Sequence, residues 1–399
     1  VFEPERHEPL SGGAWQEADA RAAIAEIAAD ALARFDRARL WPTHPMEDHG
    51  RDGDASLYMG ASGVIWALDY LGRAGLAEGA DGLADAMPAV VARARDDLRR
   101  TYYPNAASFL IGDVGALLVQ HRLSPSAAAA DELHERVEAD DRQPVRELMW
   151  GTPGCLLTSL FMLERTGEAR WRDLFREQAE RLWREWREVP GFGFLWTQEL
   201  YRRTVRYLGL VHGFAGNAFP LIKGEALLDV GRREELHARA LTTLTATACA
   251  DGTCANWAAG VHRSRPERAP HLVQQCHGAP GLVTALAGLP AGRDPAADRL
   301  FAMGGELIWR AGPLVKGPNL CHGTAGNGYA FLKLYRRTGD PKWLARARAF
   351  ALHAVGQCRE ARRRYGQGRY SLWTGDLGLA VYLRDCIEGE ARFPTLDVF

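Results

Sequence analysis

Two short segments of this 399-residue chain place a cysteine and a histidine directly before a glycine: Gln275-Cys276-His277-Gly278 and Leu320-Cys321-His322-Gly323. Thiolates and imidazoles are the preferred donors of zinc, and three of them with a fourth position left open make a catalytic centre. Cys276, Cys321 and His322 supply that set from two distant segments, and no Cys-x-x-Cys pair is present to build a zinc ribbon. Counting His277 as a fourth ligand would close the shell, so the expectation keeps it near the metal but not on it. The plainer alternative, small buried cysteines and helix-capping histidines, is weakened by the second copy of the pattern. His212, in Leu210-Val211-His212-Gly213, is suited to proton exchange near neutral pH. Glu147, four residues before Gly151, is a carboxylate able to orient or protonate a partner.

These residues stand on a repeat. Seven Gly-x-x-Gly turns run through the chain: Gly60–Gly63, Gly112–Gly115, Gly151–Gly154, Gly213–Gly216, Gly278–Gly281, Gly323–Gly326 and Gly375–Gly378. Each opens a stretch that is apolar on most faces, as in Val64-Ile65-Trp66-Ala67-Leu68, and such a helix is buried between other elements. Charge-rich stretches with apolar residues three and four apart lie between them, at 20–35, 171–186, 298–309 and 341–354. The alternation predicts an all-α fold, an α/α toroid with inner helices inside outer ones and the turns gathered at one end. Glycine is expected there for positive φ and for close backbone approach. The segment Ser124 to Val145 interrupts the pattern and reads as a surface helix with loops. Strand signals are sparse, and no linker divides the repeat, so one domain over 1–399 is expected.

A formal net charge of −1 leaves no electrostatic footprint for nucleic acid or an anionic membrane. Seven irregularly spaced cysteines do not form a disulfide framework. The charged opening Val1-Phe2-Glu3-Pro4-Glu5-Arg6 carries no signal-peptide core, and no run reaches membrane-span length. A reducing cytoplasmic setting is the expectation.

Taken together, the seven turns, Gln275-Cys-His-Gly-Ala-Pro-Gly281 and Leu320-Cys-His-Gly-Thr-Ala-Gly-Asn327 resemble the lanthionine synthetase C-like family across nearly the whole chain. The resemblance implies a double α-barrel of seven inner and seven outer helices with zinc at the top of the inner ring. It places Cys276, Cys321 and His322 at the zinc-ligand positions and His212 at that of the acid/base histidine. His277 stands where lantibiotic cyclases usually carry tyrosine, Glu147 where they carry aspartate, and Leu272 where they carry arginine. Ser108-Phe-Leu-Ile-Gly-Asp-Val-Gly115 and Ala391-Arg-Phe-Pro394 also point to the eukaryotic-type members. Lys316 and Arg364 match basic positions that contact glutathione in those members. The implied activity is zinc-dependent addition of a thiol, with glutathione as donor, to dehydroalanine or dehydrobutyrine in a peptide or protein. His212 or His277 would protonate the enolate, with Glu147 tuning the charge. Formation of lanthionine within a precursor peptide, a non-catalytic glutathione- or peptide-binding role, and a toroidal glycosidase are the alternatives. The last is disfavoured because the turns offer Cys and His in place of a carboxylate pair.

Overall fold

The computed structural model describes residues 1–47, 53–78, 82–139, 145–261 and 271–399. Seven outer helices are α1 (Glu17–Ala33), α3 (Met87–Leu98), α5 (Ala127–Glu138), α7 (Ala169–Arg184), α9 (Val230–Ala246), α11 (Pro295–Ala311) and α13 (Pro341–Tyr365). Seven inner ones are α2 (Ala61–Arg73), α4 (Asp113–Leu123), α6 (Thr152–Thr166), α8 (Phe214–Lys223), α10 (Ala279–Leu286), α12 (Thr324–Thr338) and α14 (Asp376–Glu388). Each inner helix packs against the next, and α14 packs back on α2, so the inner ring closes. Every residue of α10 is buried, as are the first eight of α2, which is the pattern of a helix enclosed on all sides. The chain is the α/α toroid expected from the repeat.

Inner and outer helices begin differently. Outer helices α5, α9, α11 and α13 are capped by the side chains of Ser126, Asp229, Asp294 and Asp340. Inner helices start on glycine, which has no side chain to cap with. The loop before the turn supplies acceptors instead, because the N–H of Ala61, Phe214, Thr324 and Asp376 each donates to a carbonyl seven residues earlier. Those N–H groups are therefore already bonded within the turn.

The glycines also serve a reason narrower than expected. In six turns the first glycine has φ between −97° and −155°, and Gly278 alone, at φ 104°, takes a positive value. Close approach decides the residue type. A Cβ on the second glycine of each turn would lie 1.8 to 3.0 Å from the carbonyl oxygen six residues earlier.

Adjacent turns are then joined by backbone. Tyr58 N–H donates to Leu110, Trp373 N–H to Tyr58, Cys321 N–H to Trp373, Cys276 N–H to Cys321 and Leu148 N–H to Val211. Ser108 Oγ donates to the Met149 carbonyl, linking turns two and three. Gly209 presses on the Cys276 carbonyl, where a Cβ would come within 1.9 Å, and this contact joins turns four and five.

Three two-stranded hairpins are the strands among the described residues: β1 (Arg187–Val189) with β2 (Gly193–Leu195), β3 (Gln198–Leu200) with β4 (Arg203–Val205), and β5 (Ala248–Asp251) with β6 (Cys254–Trp257). In the segment 124–145, of which 140–144 lie outside the described residues, the expected helix is present but does not interrupt the pattern. That helix, α5, buries Ala129, Ala130, Leu133 and Val137 and takes a regular place in the outer ring. No described helix is long and apolar enough to cross a membrane.

Candidate functional site

Cys276 sits at the tip of a tight loop in which Gln274 and His277 exchange both backbone hydrogen bonds at 3.1 Å. Its N–H donates to the Cys321 carbonyl at 3.1 Å, so turns five and six present their cysteines side by side. The two thiols hydrogen-bond each other, which pushes their acidities in opposite directions. Cys276 is drawn down to about 7, first by the bond from Cys321 and, against burial, by the charge of His212 and the Gln274 amide. Gln274 Nε2 donates to Cys276 Sγ at 2.9 Å. Cys321 is held far above the usual thiol range by that same bond and by burial, so Cys276 carries the thiolate. Tyr58, two residues before the first glycine of turn one, occupies the register that Cys276 and Cys321 hold in theirs, and its hydroxyl bonds to Cys321.

His322 follows Cys321 directly, with its N–H donating to Asn319 Oδ1 at 3.0 Å. Among the described residues, no three His, Cys, Asp or Glu side chains are gathered as a ready-made metal cluster. The donor chemistry fits zinc nonetheless: a buried thiolate hydrogen-bonded to a thiol, with an imidazole on the adjoining residue. Cys276, Cys321 and His322 are the residues that would hold it.

The neighbouring turns bring an acid and a base together. Glu147 is fully buried, and its Oε1 accepts from the Trp150 N–H at 2.7 Å. Its Oε2 lies 2.8 Å from His212 Nδ1. A carboxylate only accepts, so Nδ1 carries the proton and Nε2 is the exchanging nitrogen. Burial works against a charged His212, but the Glu147 bond and charge together with Cys276 outweigh it and raise its pKa. Gln198 on β3 donates to the His212 carbonyl at 2.7 Å and accepts from the Arg146 N–H, which ties turns three and four to one hairpin. His277 lies 6.0 Å from His212, ring centre to ring centre. Burial first, then the charge of His212, push His277 down to about 3, so it is neutral at working pH. Its buried Nδ1 has no hydrogen-bond partner among the described residues.

A cavity of about 1350 Å³ opens over the turns, lined by Tyr58, His212, Lys316 and His322 among others. Lys316 is exposed on its wall. Arg364, expected beside Lys316, does not line the cavity, because α13 carries it to an exposed face where it stacks over Tyr365. Arg369 lines it instead, paired with Glu47 at 2.6 Å. Sequence reading missed Tyr58, Gln274 and Arg369. The register of Tyr58 within the repeat was the available signal for the first, and nothing marked the other two.

A sequence profile described as Lanthionine synthetase C-like protein matches residues 51–398. The chain belongs to that family. "Glutathione S-transferase LANCL1" of Danio rerio is 29% identical to this LanC-like chain over 316 residues, covering 73% of the chain and 74% of the relative. "LanC-like protein GCL1" of Arabidopsis thaliana is 37% identical over 138 residues, covering 32% of the chain and 30% of the relative. Both relatives are eukaryotic, as the departures at His277, Glu147 and Leu272 implied. The solved structure of nisin cyclase superposes with a TM-score of 0.60 at 16% identity, covering 93% of this chain and 99% of that one, which establishes the shared toroid.

Proposed function

We propose that this LanC-like protein adds the thiol of glutathione to dehydroalanine or dehydrobutyrine residues in peptides or proteins. The observation that carries the reading is the meeting of three turns: a thiolate–thiol pair on turns five and six, and on turn four a histidine whose carboxylate partner is fully buried. Zinc held by Cys276, Cys321 and His322 would supply a Lewis acid that keeps an incoming thiol deprotonated at neutral pH.

The chain's own residues do the rest. As the sulfur–carbon bond forms at the β-carbon, the π electrons of the alkene move toward the α-carbon and its carbonyl. The carbanion that results takes a proton from His212 Nε2, which the raised pKa keeps available. The proton lost by the thiol restores His212, so the net reaction is addition with no leaving group. Glu147 orients the imidazole and offsets its positive charge. His277, held neutral beside His212, has no proton to give at working pH, which leaves protonation to His212. Lys316 offers its ammonium to a glutathione carboxylate. The glutathione transferase named among the relatives supports glutathione as donor.

The test is mass spectrometry of a dehydroalanine peptide incubated with zinc-loaded protein and glutathione. A glutathione adduct that depends on His212 and on Cys276 is expected. Its absence across a range of peptides would sink the reading.

A further inference from the structure

Strands β3 and β4 are joined by two residues only, Tyr201 and Arg202, since Leu200 pairs directly with Arg203. Both have positive φ, 50° and 63°. A two-residue hairpin of this kind is normally made with Asn and Gly, which tolerate that conformation without steric cost. A tyrosine and an arginine held there are strained, and such strain persists only where the surroundings enforce it, as they do at ligand sites.

Here two hydrogen bonds enforce it. Tyr201 N–H donates to the Tyr103 hydroxyl at 2.8 Å, and Trp150 Nε1 donates to the Tyr201 hydroxyl at 2.8 Å. These bonds occupy the hydroxyls of Tyr103 and Tyr201 and the indole N–H of the buried Trp150, and all three line the cavity together with Tyr102. Tyr102 and Tyr201 are 64% and 39% exposed, among the most exposed large hydrophobic groups of the protein. The tip also carries charge. Arg202 lies over the Tyr102 ring, and Arg100 lines the same cavity. Neither forms an ion pair among the described residues, although the adjacent Arg99 is paired with Asp96. The Tyr201 ring stands 6.4 Å from that of His212, centre to centre. A group seated on this surface therefore has its neighbour at the proton donor.

We propose that Tyr102, Tyr103, Trp150 and the Tyr201-Arg202 tip form a polypeptide subsite for the electrophile. It takes an acidic segment whose apolar side chain, next to the reactive residue, stacks on the rings while Arg100 and Arg202 meet its carboxylates. The subsite rests on the thiol-addition reading for its role, but its binding is testable without chemistry. A cavity of about 1350 Å³ exceeds the usual space of a small-molecule pocket, about 300–1,000 Å³, leaving room for a peptide beside the thiol.

The experiment uses the zinc-loaded protein and a short fluorescein-labelled acidic peptide with alanine in place of the dehydroalanine, read by polarisation. Tyr102→Ala and Arg202→Gly are each expected to weaken binding about tenfold. Both variants should leave turnover of the minimal electrophile N-acetyl-dehydroalanine methylamide with glutathione unchanged. Arg202→Gly should also raise the melting temperature, because glycine relieves the positive φ, and this separates lost binding from lost folding. Unaltered affinity in both variants, or equal binding of a lysine-rich peptide, would overturn the subsite. Should the unreactive peptide bind with this pattern while no electrophile yields an adduct, the subsite stands and the thiol-addition reading falls.

Discussion

The pairing of Glu147 with His212 gives the sharpest test, through Glu147→Gln. The substitution keeps the shape and lets Oε1 still accept from the Trp150 N–H, so the turn has no reason to unfold. What it removes is the charge 2.8 Å from His212 Nδ1. Two unit charges with centres about 4 Å apart attract by about 4 kcal/mol at an effective dielectric of about 20, which sets the ceiling. Burial of the imidazole opposes its charge and is the largest single influence on it, so the net effect is smaller. A loss of about 1.4–2.7 kcal/mol of transition-state stabilisation follows, or about 10- to 100-fold in kcat, less than loss of the general acid itself would cost because the imidazole remains. KM for glutathione should not move, because Glu147 does not line the cavity. The pH profile carries the sign. A raised histidine donates protons up to a higher pH, so activity in wild type falls as pH rises through that value, and in Glu147→Gln the fall begins at lower pH. Stability follows the same linkage: the contribution of His212 is full below its ordinary value of 6.5 and fades as pH climbs through the raised one. The gap in Tm between the two proteins should therefore narrow as pH rises above the ordinary histidine value of 6.5. A kcat within twofold of wild type and an unshifted profile would refute the role given to Glu147.

Chelation of metal should abolish adduct formation, and the metal-free protein should then show thiolate absorbance rising with a midpoint at about 7 from Cys276, lost in Cys276→Ala; a first transition in the ordinary thiol range would contradict the shared-proton pair. Gly326→Ala, whose Cβ would lie 1.8 Å from the Leu320 carbonyl, should cost about 3 kcal/mol or more by denaturant midpoint. Gly356→Ala, in open space within α13, should gain about 0.5–1 kcal/mol in the same assay. Lys316→Ala should raise KM for glutathione several-fold and leave a thiol without carboxylates unaffected, whereas Arg364→Ala should change neither, as steady-state kinetics would show.

How much of this was legible in the chain depends on where the information lay. The toroid was written in the repeat itself, because seven identical turns force seven equivalent helix starts. The reason for the glycines was only half legible: sequence cannot distinguish a demand for positive φ from a carbonyl six residues earlier that admits no Cβ. Helix α5 was underread because Ala129 and Ala130 supply half of its buried face, and alanine gives little contrast to a hydrophobic period. The bond between Glu147 and His212 spans 65 positions, and no local pattern couples them. Tyr58 is the instructive miss. It could have been found by aligning the turns on their first glycines and asking what stands two residues before each.

That alignment explains why a symmetric scaffold yields an asymmetric site. The position two before the first glycine reads Tyr58, Leu110, Met149, Val211, Cys276, Cys321 and Trp373 around the ring, and the next position reads Met59, Ile111, Trp150, His212, His277, His322 and Thr374. Since backbone bonds, the Ser108 hydroxyl and the Gly209 contact fix neighbouring turns to one another, these positions recur at equivalent places around the ring. Chemistry then needs only substitution within the register. Three successive turns exchange an apolar residue for histidine, two of them exchange another for cysteine, and the turn before them buries a carboxylate. The helices behind every turn begin at this face, so their positive dipole ends favour the thiolate of Cys276 wherever in the ring it had been placed. The location of the site is thus set by four adjacent departures from the repeat, while the field and rigidity it relies on belong to all seven turns.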